Sequence, residues 1–487
     1  MATYYVATNG SNGNPGSSVS PWATIDYAAA AARNLQPGDT VIVRSGTYNT
    51  TGVTIGHSGS AGGGKVTFKS DVLHGAKVVS SGQNGFYTNN KHHVRIEGFD
   101  VTAVKTGINI GKGCYYIDVV NNRSHDNDAQ GIYSRQSEFL LIEGNIVYNN
   151  STNNQANNSI SVHFMENVSG DTTTTGFRMI VRGNTCYNNG INTTSTDSGG
   201  IMIDSNPTDN FTPPALYTYP RLVENNLCYR NGGPGIIVLE ALNTTVRNNT
   251  CWQNGRKPGA GGFTANLVNR TDNIVWANNI AVADKAFNPN SPAVACVSLA
   301  DRVPRTYVNV DWYNNITFNG VNGEESLFQT GNNAGNLPSA ADDNMLGVNP
   351  RLVSPLTDFH PAPGSPAIDA GTSAHNGASS IDFEGTTRVA PVDIGAFEHA
   401  ASSGGTMAPD SVICAIAVAR GVTTDMLAEV GLGGTFVTRT TRNTPAPAVY
   451  IADTNNDVQD TFGPVAKVFA NPSLGSIAAV FSMKPLG

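Results

Sequence analysis

Apolar residues recur two apart along much of the chain, the pattern breaks at an asparagine, and the whole phrase returns. Val119, Ile142, Val181, Val223, Val246, Trp276 and Trp312 each stand three residues before an Asn: 122, 145, 184, 226, 249, 279 and 315. Five before those Asn stand Ile117, Leu140, Met179, Arg221, Thr244, Ile274 and Val310. Two mostly apolar positions spaced by two are the mark of a strand with one buried face. The Asn follows the strand, where it suits a turn by tolerating a left-handed backbone and bonding nearby backbone. Two residues further on, Ser124, Val147, Cys186, Cys228, Cys251, Ala281 and Thr317 are small enough for an interior corner.

The phrase has a period. Asn122 to Asn145 and Asn226 to Asn249 are both 23 residues. A fixed repeat in the range of 20–50 residues marks a solenoid. The expectation is an all-β, right-handed parallel β-helix, one coil per repeat, with the Asn amides stacked in a ladder. A second strand follows each phrase: residues 131–135, 159–164, 200–204, 235–240 and 262–266, aligned on Ile132, Ile160, Ile201, Ile236 and Phe263.

The ends differ from the middle. Thr24 is placed to cap a short Ala-rich helix, and residues 1–49 read as an N-terminal cap and first coil. Residues 50–399 read as the β-helix, with the segment from 361 to 399 closing it. Residues 400–408 (AASSGGTMA from Ala400) are a linker by composition, and 409–487 a small β domain for attachment or oligomerisation. The steps Asn145 to Asn184 and Asn184 to Asn226 are 39 and 42 residues against the beat of 23, so both coils carry long insertions. Insertions on a rigid scaffold are where function concentrates.

Composition narrows the partners. Only 14% of residues are charged, Gly numbers 52 and the net charge is −8. A turn-dense solenoid fits, and neither a nucleic-acid partner nor membrane insertion is expected. The cysteines follow the repeat, so they read as a buried small-residue column and not as a disulfide framework.

The opening, YYVATNGSNGNPG with PGDTVIVRSGTY, resembles that of pectate-lyase-like β-helix proteins. The closing GSPAIDAG and VDIGAFE resemble the choice-of-anchor Q type. The two ends bracket about residues 3–399. The resemblance implies the fold and a polysaccharide partner, and it spans lyases, glycan-binding surface proteins and phage tail proteins.

Candidate chemistry lies on the second strand of each coil. Three residues after the inward apolar position stand Arg135, His163 and Asp204, with Lys112 and Glu240 near the ends of that column. Stacked coils are ~4.8 Å apart, so these groups are expected within reach of one another. A base and a cation suit a polysaccharide lyase; two carboxylates, Asp204 with Glu166 or Glu240, suit a glycoside hydrolase. An ordinary outward salt-bridge ladder is the competing reading. Asp126, Asp128 and Asp197 on turns offer oxygen ligands for Ca²⁺, or are plain turn residues. His125, Tyr148, Tyr187, Tyr229 and Trp252 form an aromatic column, either a platform for sugar faces or a core stack.

The function expected first is a tailspike or tail-fibre protein on a virion surface. It would bind a host polysaccharide, with cleavage as an added option, as a homotrimer among other tail proteins; the absence of an export signal before a repeat that starts early favours this. An extracellular lyase acting on a uronate polymer is the alternative, and a non-catalytic adhesive β-helix the third.

Overall fold

The computed structural model describes residues 1–152, 157–191, 198–205, 217–256, 267–285, 296–299, 306–324, 326–329 and 334–399, with two short strands further on. Three parallel sheets run its length, of 11, 11 and 10 strands, each strand pairing with its counterpart one coil away. We call them the first sheet (Thr3–Val6 through Val310–Tyr313), the second (Gly46–Thr50 through Met345–Leu346) and the third (Val53–Thr54 through Leu327–Gln329). This is a parallel β-helix, right-handed as parallel crossovers are.

The register follows the sequence period. Val119 pairs with Ile142, Ile142 with Val181 and Val181 with Val223, all fully buried. The corner column is buried too: Cys186, Cys228 and Cys251 are free thiols at 0% exposure, and burial strongly favours the protonated form of Cys186 and Cys228.

The Asn ladder forms and reaches one coil further than the repeat suggests. Asn145 donates from its backbone N (3.0 Å) and its Nδ2 (2.9 Å) to Asn184 Oδ1, and each later Asn repeats this as far as Asn344. The left-handed residue is not the ladder Asn but the one before it: Asn121, Gly144, Gly183, Asn225, Asn248, Asn278 and Asn314 all have φ of 51–66°. The ladder amide is thereby freed to face the interior. A second ladder lies five residues on, through Asn127, Asn150, Asn189, Asn231 and Asn254. Its signal stands in the same phrases, which end in a further Asn.

One third-sheet strand differs from the expectation. Ile236 pairs with Leu267 and Leu239 with Arg270, so the strand is Leu267–Arg270, and Phe263 lies outside the described residues. A GF pair resembled the other strand starts, but Leu267–Val268 supply the buried positions.

The N-terminal helix is Ile25–Ala29, capped by Thr24, whose Oγ1 accepts from Tyr27 N at 3.2 Å. It seats Ile25, Ala28 and Ala29 on the first coils. The Ala run does not extend it: Ala30 is already extended, and a 3₁₀ turn over Ala31–Arg33 follows. Among the described residues no helix is long and apolar enough to cross a membrane.

The closing segment does not plug the end of the solenoid. It runs back along the side as a strap. Asn314 Nδ2 donates to Ala370 O (3.0 Å), Asn278 Nδ2 to Thr372 O (2.8 Å) and Gly377 O (2.7 Å), and Asn225 Nδ2 to Ile381 O (2.7 Å). The left-handed Asn225, Asn248, Asn278 and Asn314 are therefore its docking row. Beneath it Leu227, Ile280, Val282, Ile316 and Phe318, outward on the second sheet, join Phe359, Ile394 and Phe397 in a second core. Burial of this apolar face, and not the ladder, makes the strap necessary.

The chain falls into two compact units, Met1–His399 and Ala400–Gly487. In the second only the antiparallel pair Met426–Leu427 with Arg439–Thr440 is described. The expected linker and small β domain otherwise lie outside the described residues.

Candidate functional site

Strands Ile132–Arg135, Ile160–His163 and Ile201–Asp204 stand side by side in the third sheet. Arg135 is register partner of His163, and His163 of Asp204. The expected column therefore exists on the outer face. It continues with Leu239 and Arg270. Glu240 is one step past it, in a left-handed turn with φ of 47°, and its N donates to Arg270 O at 3.1 Å. Lys112 is likewise one step past the column, exposed in a turn whose carbonyl accepts from Asn90 N at 2.8 Å.

The sequence did not single out Tyr133 and Ser161, which share the outer face of the same strands and are register partners. The Arg135 guanidinium lies 5.1 Å from the centre of the Phe164 ring. Burial raises the Tyr133 pKa, so it stays a phenol at neutral pH. The His163 ring stands edge-on to Tyr133 (5.3 Å) and to Phe164 (5.4 Å). Burial first, and Arg135 second, lower its pKa to about 4. Its Nε2 is shielded from solvent and has no hydrogen-bond partner, and the same holds for Ser161 Oγ and Gln136 Oε1. Unmet buried polar atoms are uncommon in folded proteins; here they cluster on adjacent strands of one face.

Both long insertions flank these strands. One leaves His163 directly and is pinned to the body by buried charge. Arg178 Nη1 donates to Glu138 Oε2 at 2.9 Å with both side chains at 0% exposure, Tyr217 Oη bonds the same oxygen at 3.1 Å, and Ser169 N donates to Oε1 at 2.7 Å. The Arg178 guanidinium lies 3.3 Å from the Tyr219 ring centre. Glu166, at the start of this insertion, accepts from Gln136 Nε2 at 2.5 Å.

Across the turn into the first sheet runs a ring stack that the sequence did not announce. His93, Tyr116 and Phe139 are adjacent in register, with centroids 4.6 and 4.3 Å apart. All three have left-handed φ of 49–56°. Later coils put Asn243, Asn273 and Asn309 at this position. Asn takes that conformation cheaply and an aromatic does not. Stacking, worth ~0.5–1.5 kcal/mol per pair, offsets the cost.

The expected aromatic column of the second sheet is outward but not a sugar platform along its length. His125, Tyr148, Tyr187 and Tyr229 stack nearly parallel, 4.8–5.0 Å apart at interplanar angles of 4–7°. Their faces are turned to one another, leaving edges and hydroxyls outward. Tyr229 and Trp252 pack against Phe359 of the strap. Burial pushes the Tyr229 hydroxyl up to about 12. His125 is held on both sides, by Asp100 Oδ1 at 3.0 Å and Asp126 Oδ2 at 2.7 Å, and those bonds raise its pKa.

Asp126 is thus engaged with His125, and Asp128 accepts from Thr152 Oγ1 at 2.6 Å. Asp197 lies outside the described residues. Among the described residues no group of three or more His, Cys, Asp or Glu is arranged to hold a metal ion. The Ca²⁺ expectation therefore gains no ligand cluster among the described residues.

No protein-family model matches the chain, and no characterised protein matches it in sequence. Among solved structures the chain is similar to pectate lyase Pel9A, at 18% identity over 82% of this chain and 96% of that one, with a TM-score of 0.44. It is similar to an alginate lyase from Paenibacillus sp. str. FPU-7, at 15% identity over 68% and 92%, TM-score 0.38. It is similar too to ORF18 of Geobacillus virus E2, at 14% identity over 68% and 60%, TM-score 0.37. Likenesses of this size carry nothing about activity.

Proposed function

We propose that this β-helix binds an acidic polysaccharide along the outer face of its third sheet, with Arg135 taking a carboxylate of the glycan. The observation that carries the reading is the coincidence of Arg135, His163 and Asp204 in one outward column with the insertions that flank it. A linear polymer suits the long, stacked surface of a solenoid. The exposed Arg135 and Lys112 supply local positive charge on a chain whose net charge is −8.

The setting we propose is the surface of a virion tail, as a trimer among other tail proteins. A separate C-terminal unit after a self-contained solenoid supports it, since attachment then needs no change in the glycan-binding body. The runner-up is an extracellular lyase. The closing motifs keep their resemblance to the choice-of-anchor Q type within either setting.

The test is binding to immobilised uronate polymers and to neutral glucans as controls. Arg135→Ala is expected to weaken uronate binding by roughly tenfold or more, as loss of a charge-assisted hydrogen bond costs ~1.5–3 kcal/mol. Equal binding by the variant, or no preference for acidic polymers, would sink the reading.

A further inference from the structure

We propose that the outer face of the first sheet carries a separate site at its N-terminal end, where Tyr5, Arg44 and Asp71 hold a single neutral sugar ring. It lies on a different face from the acidic-glycan site and does not depend on that reading.

Further along this face, opposite charges on adjacent coils pair. Lys69 meets Glu97 at 2.8 Å, Arg95 meets Asp118 at 3.2 Å, Arg182 meets Glu143 at 2.6 Å and Arg247 meets Glu224 at 2.9 Å. Each pair is also a register pair. Opposite charges placed side by side across a sheet normally do this.

Arg44 and Asp71 depart from the pattern. Val6, Val43 and Phe68 point inward at 0% exposure, and Tyr5, Ile42 and Lys69 are register partners on the outer face. Arg44 and Asp71 stand two residues after Ile42 and Lys69, so alternation puts them on that face in adjacent coils. Asp71 N donates to Val43 O at 2.9 Å, which fixes the neighbourhood. Yet the two charges do not pair with each other. Arg44 Nη2 donates to Ser18 O at 2.6 Å and Ser18 Oγ at 3.2 Å, and Asp71 Oδ1 accepts from Ser45 Oγ at 2.8 Å. Both line a cavity of about 300 Å³, together with Tyr5, Ile42 and Lys69. The Arg44 guanidinium lies 5.7 Å from the Tyr5 ring centre. An exposed ion pair contributes little, so the two serines hold this one open at small cost.

The lining chemistry selects the ligand. A carboxylate only accepts hydrogen bonds and a guanidinium only donates them. Neighbouring hydroxyls on a sugar do both, giving protons to Asp71 and lone pairs to Arg44. Tyr5 and Ile42 supply apolar surface for the C–H face of the ring. Arg44 and Asp71 cancel in charge, and Lys69 is neutralised by Glu97, so an uncharged ligand is favoured. The volume is at the low end of small-molecule pockets, ~300–1,000 Å³, which suits one ring and not a chain.

The experiment titrates the full chain with the methyl glycosides of glucose, galactose, mannose and N-acetylglucosamine, read by saturation-transfer NMR. Free alanine serves as a zwitterionic control, and polygalacturonate in excess as a competitor. Wild type is expected to bind at least one glycoside, with its signal unchanged by polygalacturonate. Asp71→Asn keeps the shape and is expected to weaken that binding roughly tenfold or more, as a hydrogen bond to a charged group is lost. Should Asp71→Asn melt below wild type, Arg44→Gln reads the same quantity from the other side of the cavity. No binding of any glycoside, wild-type affinity in the variant, tighter binding of alanine, or displacement by polygalacturonate would each overturn the site. None of these outcomes decides whether Arg135 binds uronate, which its own variant tests.

Discussion

His163 and His125 titrate in opposite directions, and their surroundings say why. His163 is desolvated beside a guanidinium and has a pKa of about 4. His125 is raised by its bond to Asp100, helped by Asp126. The signs for stability follow. Between pH 6.5 and about 4 the unfolded chain protonates His163 and the folded chain does not, so folding stability falls as pH falls. His125 contributes stability that is present below its unfolded pKa and lost as pH rises through its folded one. We predict that acidification from pH 7 to 5 lowers the melting temperature of wild type more than that of His163→Gln. The difference at pH 5 should be on the order of 1–2 kcal/mol. Scanning calorimetry over that window checks it, and parallel curves would count against it. At this scale the Arg135–His163–Asp204 column was legible, because period-2 alternation assigns faces directly. Tyr133 was not, because its setting comes from burial beside the His163 ring, which no spacing encodes. Glu240 stands just past the column, since the strand ends at Leu239 and the chain turns there.

The strap is the element whose role the sequence concealed. Its motif residues hold one another: Asp382 Oδ1 accepts from Glu384 N (2.9 Å) and Thr386 N (2.7 Å), and Arg388 Nη1 pairs with Glu398 Oε2 at 2.8 Å. GSPAIDAG and VDIGAFE were visible as an ending, but whether such a segment plugs an end or lies along a side depends on what it must cover. A clue stood at the left-handed turn: Gly144 and Gly183 in the two preceding coils give way to Asn225, Asn248, Asn278 and Asn314 where the strap docks. Asn278→Gly tests this row cleanly. Gly keeps the left-handed backbone at little cost, while the bonds to Thr372 and Gly377 are lost, each worth ~0.5–1.5 kcal/mol net. We predict faster hydrogen exchange across residues 365–399, with exchange in the first sheet at Val119 and Ile142 unchanged. Uniform loosening of the whole solenoid would contradict a dedicated docking row.

Over the whole molecule the repeat predicted more than any single residue did, because stacking turns one register into many. The β-helix, the Asn ladder and the thiol column all follow from one alignment. Where the alignment lost its beat, at 262–266, the strand was misassigned. The strap also bears on how the molecule is divided. It leaves the far coils, returns along Asn314, Asn278, Asn248 and Asn225, and ends where His399 N bonds Asp393. Unit 1 therefore completes its second core, with Phe359, Ile394 and Phe397, before residue 400. We predict that a chain ending at His399 folds, melts within a few degrees of the full chain and binds the same glycan. If 400–487 serves attachment or trimer formation, light scattering will report a smaller assembly for the shortened chain. An unfolded or aggregated product would show that the two units fold together, and an unchanged mass would remove assembly from the roles of the second unit.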